Sequence, residues 1–215
     1  MKTNKFIVLL FIITTIGCEK PAPTIELPYY KDASFTPYWM DQSNADLASF
    51  HTIPSFEFVD QEGRLITNQS FDNGIYVANF FFTSCPTVCP KMKSNLTLVQ
   101  QEFMKEDRVK ILSHSVMPWA DSVARLHEYA EMNEVLSNKW HLVTGERDEI
   151  YTIGRAGYFA DEGFGKGLTE LDDFLHTENL VLIDKNRHIR GIYNGTLRLE
   201  AKRLIADIHQ LLEDE

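Results

Sequence analysis

Two cysteines four residues apart carry the reactive chemistry that this sequence offers. Cys85 and Cys89 lie in the segment Cys-Pro-Thr-Val-Cys-Pro, and Cys18 is the only other cysteine in the 215-residue chain. So close a pair can serve as a structural disulfide, a redox couple or a metal site. The structural alternative is the weakest, because closing a short loop gives little entropic stabilisation. Two thiolates suit a soft ion such as Cu(I), whereas a site that also holds Cu(II) needs a nitrogen ligand such as imidazole.

The elements around the two cysteines predict how they are positioned. Residues 75–82 are almost continuously apolar, which predicts a central strand covered on both faces. Apolar residues recur at helical spacing from Met92 to Phe103, which predicts a helix with Cys85 in the loop before it, Cys89 at its start and Pro90 in its first turn. Because the N–H groups and the positive dipole at a helix start favour thiolate, at least one of the two thiols should have a lowered pKa.

The remaining pattern predicts one α/β domain over residues 51–215. A hairpin is expected at 56–67, strands at 109–116 and 140–143, helices at 121–132 and 146–157, a glycine-rich acidic loop at 160–173, a second hairpin at 177–193 and a closing helix at 197–212. This order resembles the thioredoxin fold, a mixed central sheet flanked by helices, here with an N-terminal hairpin.

His176 is the candidate for the nitrogen ligand among seven histidines. It leads from the acidic loop into the first strand of the second hairpin, and in the thioredoxin fold that loop faces the cysteine motif. The other six have ordinary locations, the boundary of the N-terminal arm for the first and predicted helices, strands or turns for the rest, where packing or solvation accounts for them: His51, His114, His127, His141, His188 and His209.

The first residues predict export and lipidation. Lys2 and Lys5 precede the uncharged run 6–16, which is too short to span a bilayer and is typical of an export signal. The following Thr-Ile-Gly-Cys resembles a bacterial lipobox, with Thr15 in place of the usual Leu, and predicts cleavage before Cys18 and acylation of its thiol. An ordinary secretory signal with a stray cysteine is the less favoured alternative.

Removal of this leader shapes the mature protein. We expect a signal peptide at 1–17, a tether and aromatic arm at 18–50, and a lipid-anchored extracytoplasmic protein of a bacterial cell envelope. Without the leader's two lysines, 19 basic residues face 31 acidic ones, a net charge of −12. So acidic a chain is not expected to bind nucleic acid.

Three motifs in order resemble the Sco/SenC family of copper proteins, which serve cytochrome c oxidase assembly. They are the cysteine motif after an aromatic strand, Phe-Leu-His-Thr at 174–177 before a strand ending at Asp184, and Gly-Ile-Tyr-Asn-Gly at 191–195. The resemblance implies that Cys85, Cys89 and His176 are copper ligands. It also implies a chaperone that delivers copper to the copper-bearing oxidase subunit, with other copper chaperones or thiol reductants as further partners.

One position departs from the family pattern. Met117 stands where the family often has an acidic residue, so Asp121 or the pair Asp172 and Asp173 could take over that role. Met117 itself is expected to be packed, although a soft axial ligand is conceivable.

Other functions stay open at the level of the sequence. A thiol-disulfide oxidoreductase, keeping the acceptor's cysteines reduced through Cys85 and Cys89, is the main alternative, so enzyme status is undecided. A peroxiredoxin is disfavoured, because its motif needs Thr three residues before the reactive cysteine, where Phe82 and Pro86 stand here. An inert disulfide would predict indifference to copper.

Overall fold

One seven-stranded sheet organises the part of the chain that the computed structural model describes, residues 26–41, 43–160, 175 and 177–214. Its strands are β1 (Glu57–Asp60), β2 (Leu65–Thr67), β3 (Ile75–Phe81), β4 (Val109–Ser115), β5 (Trp140–Thr144), β6 (Asn179–Ile183) and β7 (Ile189–Asn194). The helices are α1 (Val88–Glu102), α2 (Val123–Met132), α3 (Arg147–Thr152) and α4 (Arg198–Asp214).

The order of the strands brings three loop regions to one edge of the sheet. The order is β2-β1-β5-β4-β3-β6-β7, with β3, β4 and β5 mutually parallel and the outer pairs antiparallel. Because carboxyl ends of parallel strands meet at one edge, the segments that follow β3, β4 and β5 are neighbours. The mixed sheet, the flanking helices and the N-terminal hairpin confirm the predicted architecture.

Strand β3 is buried along its whole length, as its apolar run predicts. Ile75, Val77 and Phe81 belong to a core that includes buried side chains of α1, α2 and α4. Tyr76 and Phe80 belong to the core on the opposite side of the sheet. Since successive side chains of a strand point to opposite faces, a strand with a core on each face shows no polar alternation.

Helix α1 agrees with the sequence-based prediction, whereas a later helix differs from it in type. Helix α1 begins at Val88, so Pro90 lies in its first turn, where its missing N–H is no loss. The helix predicted at 146–157 is α-helical only to Thr152 and continues as a π-helical turn, Ile153–Gly157. Gly154 and Gly157 in this turn weaken the preference for the regular helix.

The segment before the sheet packs on strand β7. Tyr30 forms an antiparallel bridge with Ile189, and Tyr29 lies under the Arg190 guanidinium at 3.9 Å from ring centroid to carbon. The same guanidinium donates hydrogen bonds to the carbonyls of residues 27 and 28 and pairs with Asp184.

The division of the chain into leader, tether and domain stays a prediction, because residues 1–25 lie outside the described ranges. Among the described residues, no helix is both long and apolar enough to cross a membrane.

Candidate metal and redox site

The two cysteines occupy the loop and the first helical turn that follow β3. Strand β3 ends at Phe81, and the backbone N–H of Cys85 donates to the carbonyl of Phe82 at 3.2 Å, which turns the chain toward α1. Cys85 is partly exposed, whereas Cys89 lies inside the first turn of α1 and is 8% exposed. Both are free thiols in this structure.

The two thiols differ in burial and hydrogen bonding, and their pKa values shift in opposite directions. Burial by itself would raise the pKa of Cys85, but backbone N–H groups of the first helical turn, led by that of Cys89 at 3.5 Å from Sγ, bring its pKa below the ordinary value. Burial and the hydrogen bond to Cys85 raise the pKa of Cys89 to about 12. The expected low-pKa thiol is therefore Cys85, because the helix start directs its N–H groups at the loop sulfur.

A cavity of about 330 Å³ opens beside both sulfurs. Its wall is largely apolar, and the residues that contribute besides the two cysteines are Phe80, Phe81, Phe82, Pro86, Thr87, Val88, Met92, Val116, Leu175, Thr177 and Glu178. Leu175 and Thr177 are the chain neighbours of His176 on either side. The tertiary structure thus brings the cysteine motif and the residues that flank position 176, about 90 residues further on, to one cavity.

Several predicted site residues lie outside the described residues. These are His176, Cys18, Asp172 and Asp173. Met117 is described and half-buried, and it is not among the residues that line the cavity. Asp121 is buried, and its carboxylate accepts hydrogen bonds from Thr83 and Ser115. Thr83 and Ser115 were not singled out from the sequence, because a lone hydroxyl at a strand end carries no recognisable signal.

The six other histidines lie elsewhere in the described structure, and none lines this cavity. His114 and His141 are buried in the sheet, where His114 stacks on Phe80 and His141 contacts Asp60 at 3.0 Å. His51 and His188 contact backbone carbonyls, and the exposed rings of His127 and His209 contact glutamates of the surface. Their structural or solvated roles agree with the sequence-based expectation.

Fold and site together define the class of protein. A mixed sheet whose central strand leads through a cysteine loop into a helix, with a free dithiol there, is a thioredoxin-like α/β arrangement. The SCO1/SenC family model matches residues 44–213, and the chain belongs to that family.

Solved structures agree with this assignment. A SCO1/SenC family lipoprotein from Bacillus anthracis is 25% identical, with a TM-score of 0.66 over 75% of this chain and 95% of that one. BsSco is also 25% identical, with a TM-score of 0.65 over 77% of this chain and 95% of that one. It is described as a member of the Sco family of cytochrome c oxidase assembly proteins, with a disulfide switch.

A third structure is of a protein that holds copper. ScoI of Bradyrhizobium japonicum, solved with copper bound, is 22% identical, with a TM-score of 0.58 over 74% of this chain and 99% of that one. At this identity, the similarity concerns the fold.

Proposed function

We propose that this chain is a copper-binding chaperone that delivers copper to, or matures, the dinuclear copper site of cytochrome c oxidase. In this proposal Cys85, Cys89 and His176 hold the ion. The observation that carries it is the shared cavity, because both thiols and both chain neighbours of His176 line it.

The donor chemistry of the described residues fits a soft cation. Cys85 has a lowered pKa and so supplies thiolate readily. Cys89 has a raised pKa, and a bound cation would favour loss of its proton, since metal binding and deprotonation are coupled. The largely apolar wall of the cavity would lower the local dielectric constant and so strengthen the attraction between a thiolate and a bound cation.

Membership of the SCO1/SenC family supports the same proposal. The chain is a member of the SCO1/SenC family, and one protein of the same fold, ScoI, has been solved with copper bound. BsSco belongs to a family of cytochrome c oxidase assembly proteins. We therefore propose the copper-bearing oxidase subunit as the acceptor, with other copper chaperones or thiol reductants as further partners.

Membrane attachment completes the proposal. We infer acylation of Cys18 and an extracytoplasmic position in a bacterial envelope from the leader and the lipobox-like segment. The similarity to a family lipoprotein supports this inference. Cell fractionation and fatty-acid labelling test it. The wild-type chain should be labelled and sediment with membranes, and Cys18→Ser should lose the label. A labelled Cys18→Ser protein would contradict it.

Copper titration of the reduced full-length chain tests the central proposal. All proteins carry Cys18→Ser, so that only two thiols remain. We expect one copper per chain, loss of binding in Cys85→Ser and Cys89→Ser, and loss of the Cu(II) absorption and EPR signals of the wild type in His176→Ala. His127→Ala is the matched control, because His127 is an exposed histidine on α2. Copper binding that is unaffected by all three ligand substitutions would refute the site.

The asymmetry of the two thiols favours a second function, thiol-disulfide oxidoreductase. The partly exposed, low-pKa Cys85 suits attack on a target disulfide, and Cys89 suits release of the mixed disulfide. In this exchange the target gains two electrons and two protons, and Cys85 and Cys89 lose them as their sulfurs bond. The reduction potential of the pair decides the direction. A couple more oxidising than a peptide with the acceptor's two cysteines would exclude reduction of that target.

A further inference from the structure

A buried carboxylate connects the two strand ends beside the cysteine loop. Asp121 is 1% exposed and lies in the connection from β4 to α2. Its Oδ1 accepts from the hydroxyl of Thr83 at 2.6 Å, and its Oδ2 accepts from the backbone N–H of Thr83 at 3.1 Å. Oδ2 also accepts from the hydroxyl of Ser115 at 2.6 Å. One side chain therefore binds residues from two different segments of the sheet edge.

One of the two segments that Asp121 joins leads directly to Cys85, and the other is the end of the neighbouring strand β4. Thr83 stands two residues before Cys85, in the segment that leaves β3, and Ser115 is the last residue of β4. Arg125 on α2 donates from Nε to the hydroxyl of Thr83 at 3.2 Å, which adds a positive group to the network. The loop is thus fixed at its start by Asp121 and at its end by the first turn of α1.

Hydrogen bonds compensate the burial of the Asp121 carboxylate. Removing an ionised carboxylate from water costs several kcal/mol unless hydrogen bonds replace the lost hydration. The three hydrogen bonds supply that replacement: two come from Thr83 in the loop that leads to Cys85, and one comes from Ser115 at the end of β4. A network of this kind favours one arrangement over its alternatives.

We propose that Asp121 is a positioning residue that holds the cysteine loop through Thr83, so that both sulfurs stay at the spacing that disulfide formation and metal binding require. The inference rests on the proposed role of Cys85 and Cys89. Asp121 acts through hydrogen bonds to Thr83 and Ser115, and its negative charge is not the active feature. Asp121 thus differs from an acidic residue whose negative charge would act on the two sulfurs through electrostatic interaction.

Two substitutions of Asp121 separate position from charge. Asp121→Asn keeps the shape and can keep the network, since its oxygen can accept from the N–H of Thr83 and its amide can donate to the hydroxyl. Asp121→Ala removes every hydrogen bond. Should Asp121→Ala fail to fold, Thr83→Val serves in its place, because it removes only the hydroxyl and keeps the backbone contact. All variants carry Cys18→Ser.

The readout is the equilibrium between dithiol and disulfide in glutathione buffers, measured on the full-length chain without copper. We expect Asp121→Ala to lower the equilibrium constant for disulfide formation at least tenfold, which corresponds to about 30 mV. Thr83→Val should lower it several-fold, and Asp121→Asn should stay within about twofold of the parent. A tenfold loss in Asp121→Asn as well would show that charge is the active feature and overturn the proposal.

Asp184→Ala is the matched control for general destabilisation. Asp184 is 2% exposed and accepts hydrogen bonds from the N–H groups of Asn186 and His188, but it follows β6 at the opposite edge of the sheet. It should lower the free energy of unfolding and leave the thiol equilibrium unchanged. An equal shift in Asp184→Ala, or no shift in Asp121→Ala and Thr83→Val, would overturn the positioning role. Because copper is absent, failure of copper binding in the wild type would count against the proposed function alone.

Discussion

The contrast between the two thiols predicts which cysteine reacts first. With the reduced, metal-free Cys18→Ser chain, iodoacetamide at pH 8 should modify Cys85 long before Cys89. Cys85 is partly exposed and has a lowered pKa, whereas Cys89 is buried and has a pKa raised to about 12. Since only the thiolate attacks, the reaction rate follows the fraction of each thiol that is ionised.

The expected difference follows from the raised pKa of Cys89. Relative to a thiol with a pKa of 9.0, a pKa of about 12 lowers the ionised fraction at pH 8 about a thousandfold. The more basic thiolate is intrinsically more nucleophilic, with a Brønsted slope of roughly 0.4–0.5, which returns about 20-fold. Cys89 should therefore react about 50-fold more slowly than an ordinary thiol, and its burial should slow it further.

Mass spectrometry of peptides from timed, quenched samples gives both rates separately. In Cys85→Ser the hydrogen bond from Cys89 to the neighbouring sulfur is lost, but burial, the larger cause of its raised pKa, remains. Cys89 should therefore stay slow in this variant. Cys89→Ser tests whether the reactivity of Cys85 depends on Cys89, and Cys85 should still react rapidly with iodoacetamide in this variant. Modification of Cys89 first, or at a rate equal to that of Cys85, would refute the assigned asymmetry.

Three further predictions concern the scaffold, and urea denaturation tests each. Burial lowers the pKa of His114 to about 4, below its ordinary value of 6.5, so the stability provided by its neutral ring is present above pH 6.5 and falls by about 3 kcal/mol as pH drops to 4. His114→Leu should remove this dependence. Arg190→Met should lower the free energy of unfolding by about 3–5 kcal/mol, because Asp184 loses its buried cation. Arg190→Lys keeps a positive charge and should lower it less. Gly154→Ala should cost about 1–3 kcal/mol, because the new Cβ would lie 2.6 Å from the Leu175 side chain, and Leu175→Ala should reduce that cost. The same dependence of unfolding free energy on pH in the wild type and His114→Leu would contradict the first prediction. An unchanged unfolding free energy in Arg190→Met would contradict the second. Additive losses from Gly154→Ala and Leu175→Ala would contradict the third.

Local sequence patterns predicted most of the elements of the fold. The apolar run of β3 and the periodicity of α1 lie where expected, because a buried strand and an amphipathic helix each need a particular order of side chains. The helix predicted at 146–157 is present, but its last turn, Ile153–Gly157, is π-helical rather than α-helical. Its π-helical turn packs against Phe80 and Leu175 at Gly154, a contact between distant segments that no local periodicity contains.

The sequence by itself determined that two soft sulfurs stand at a fixed spacing directly after a buried strand, and it predicts His176 as their nitrogen partner. Only the tertiary structure decided which thiol is activated, since that depends on N–H groups aimed at Cys85 and on the burial of Cys89. It also decided that Leu175 and Thr177 line the cavity of the cysteines and that Asp121 joins β3 to β4. These residues are far apart in the chain, and they meet because parallel β3 and β4 end at one edge of the sheet, where antiparallel β6 begins.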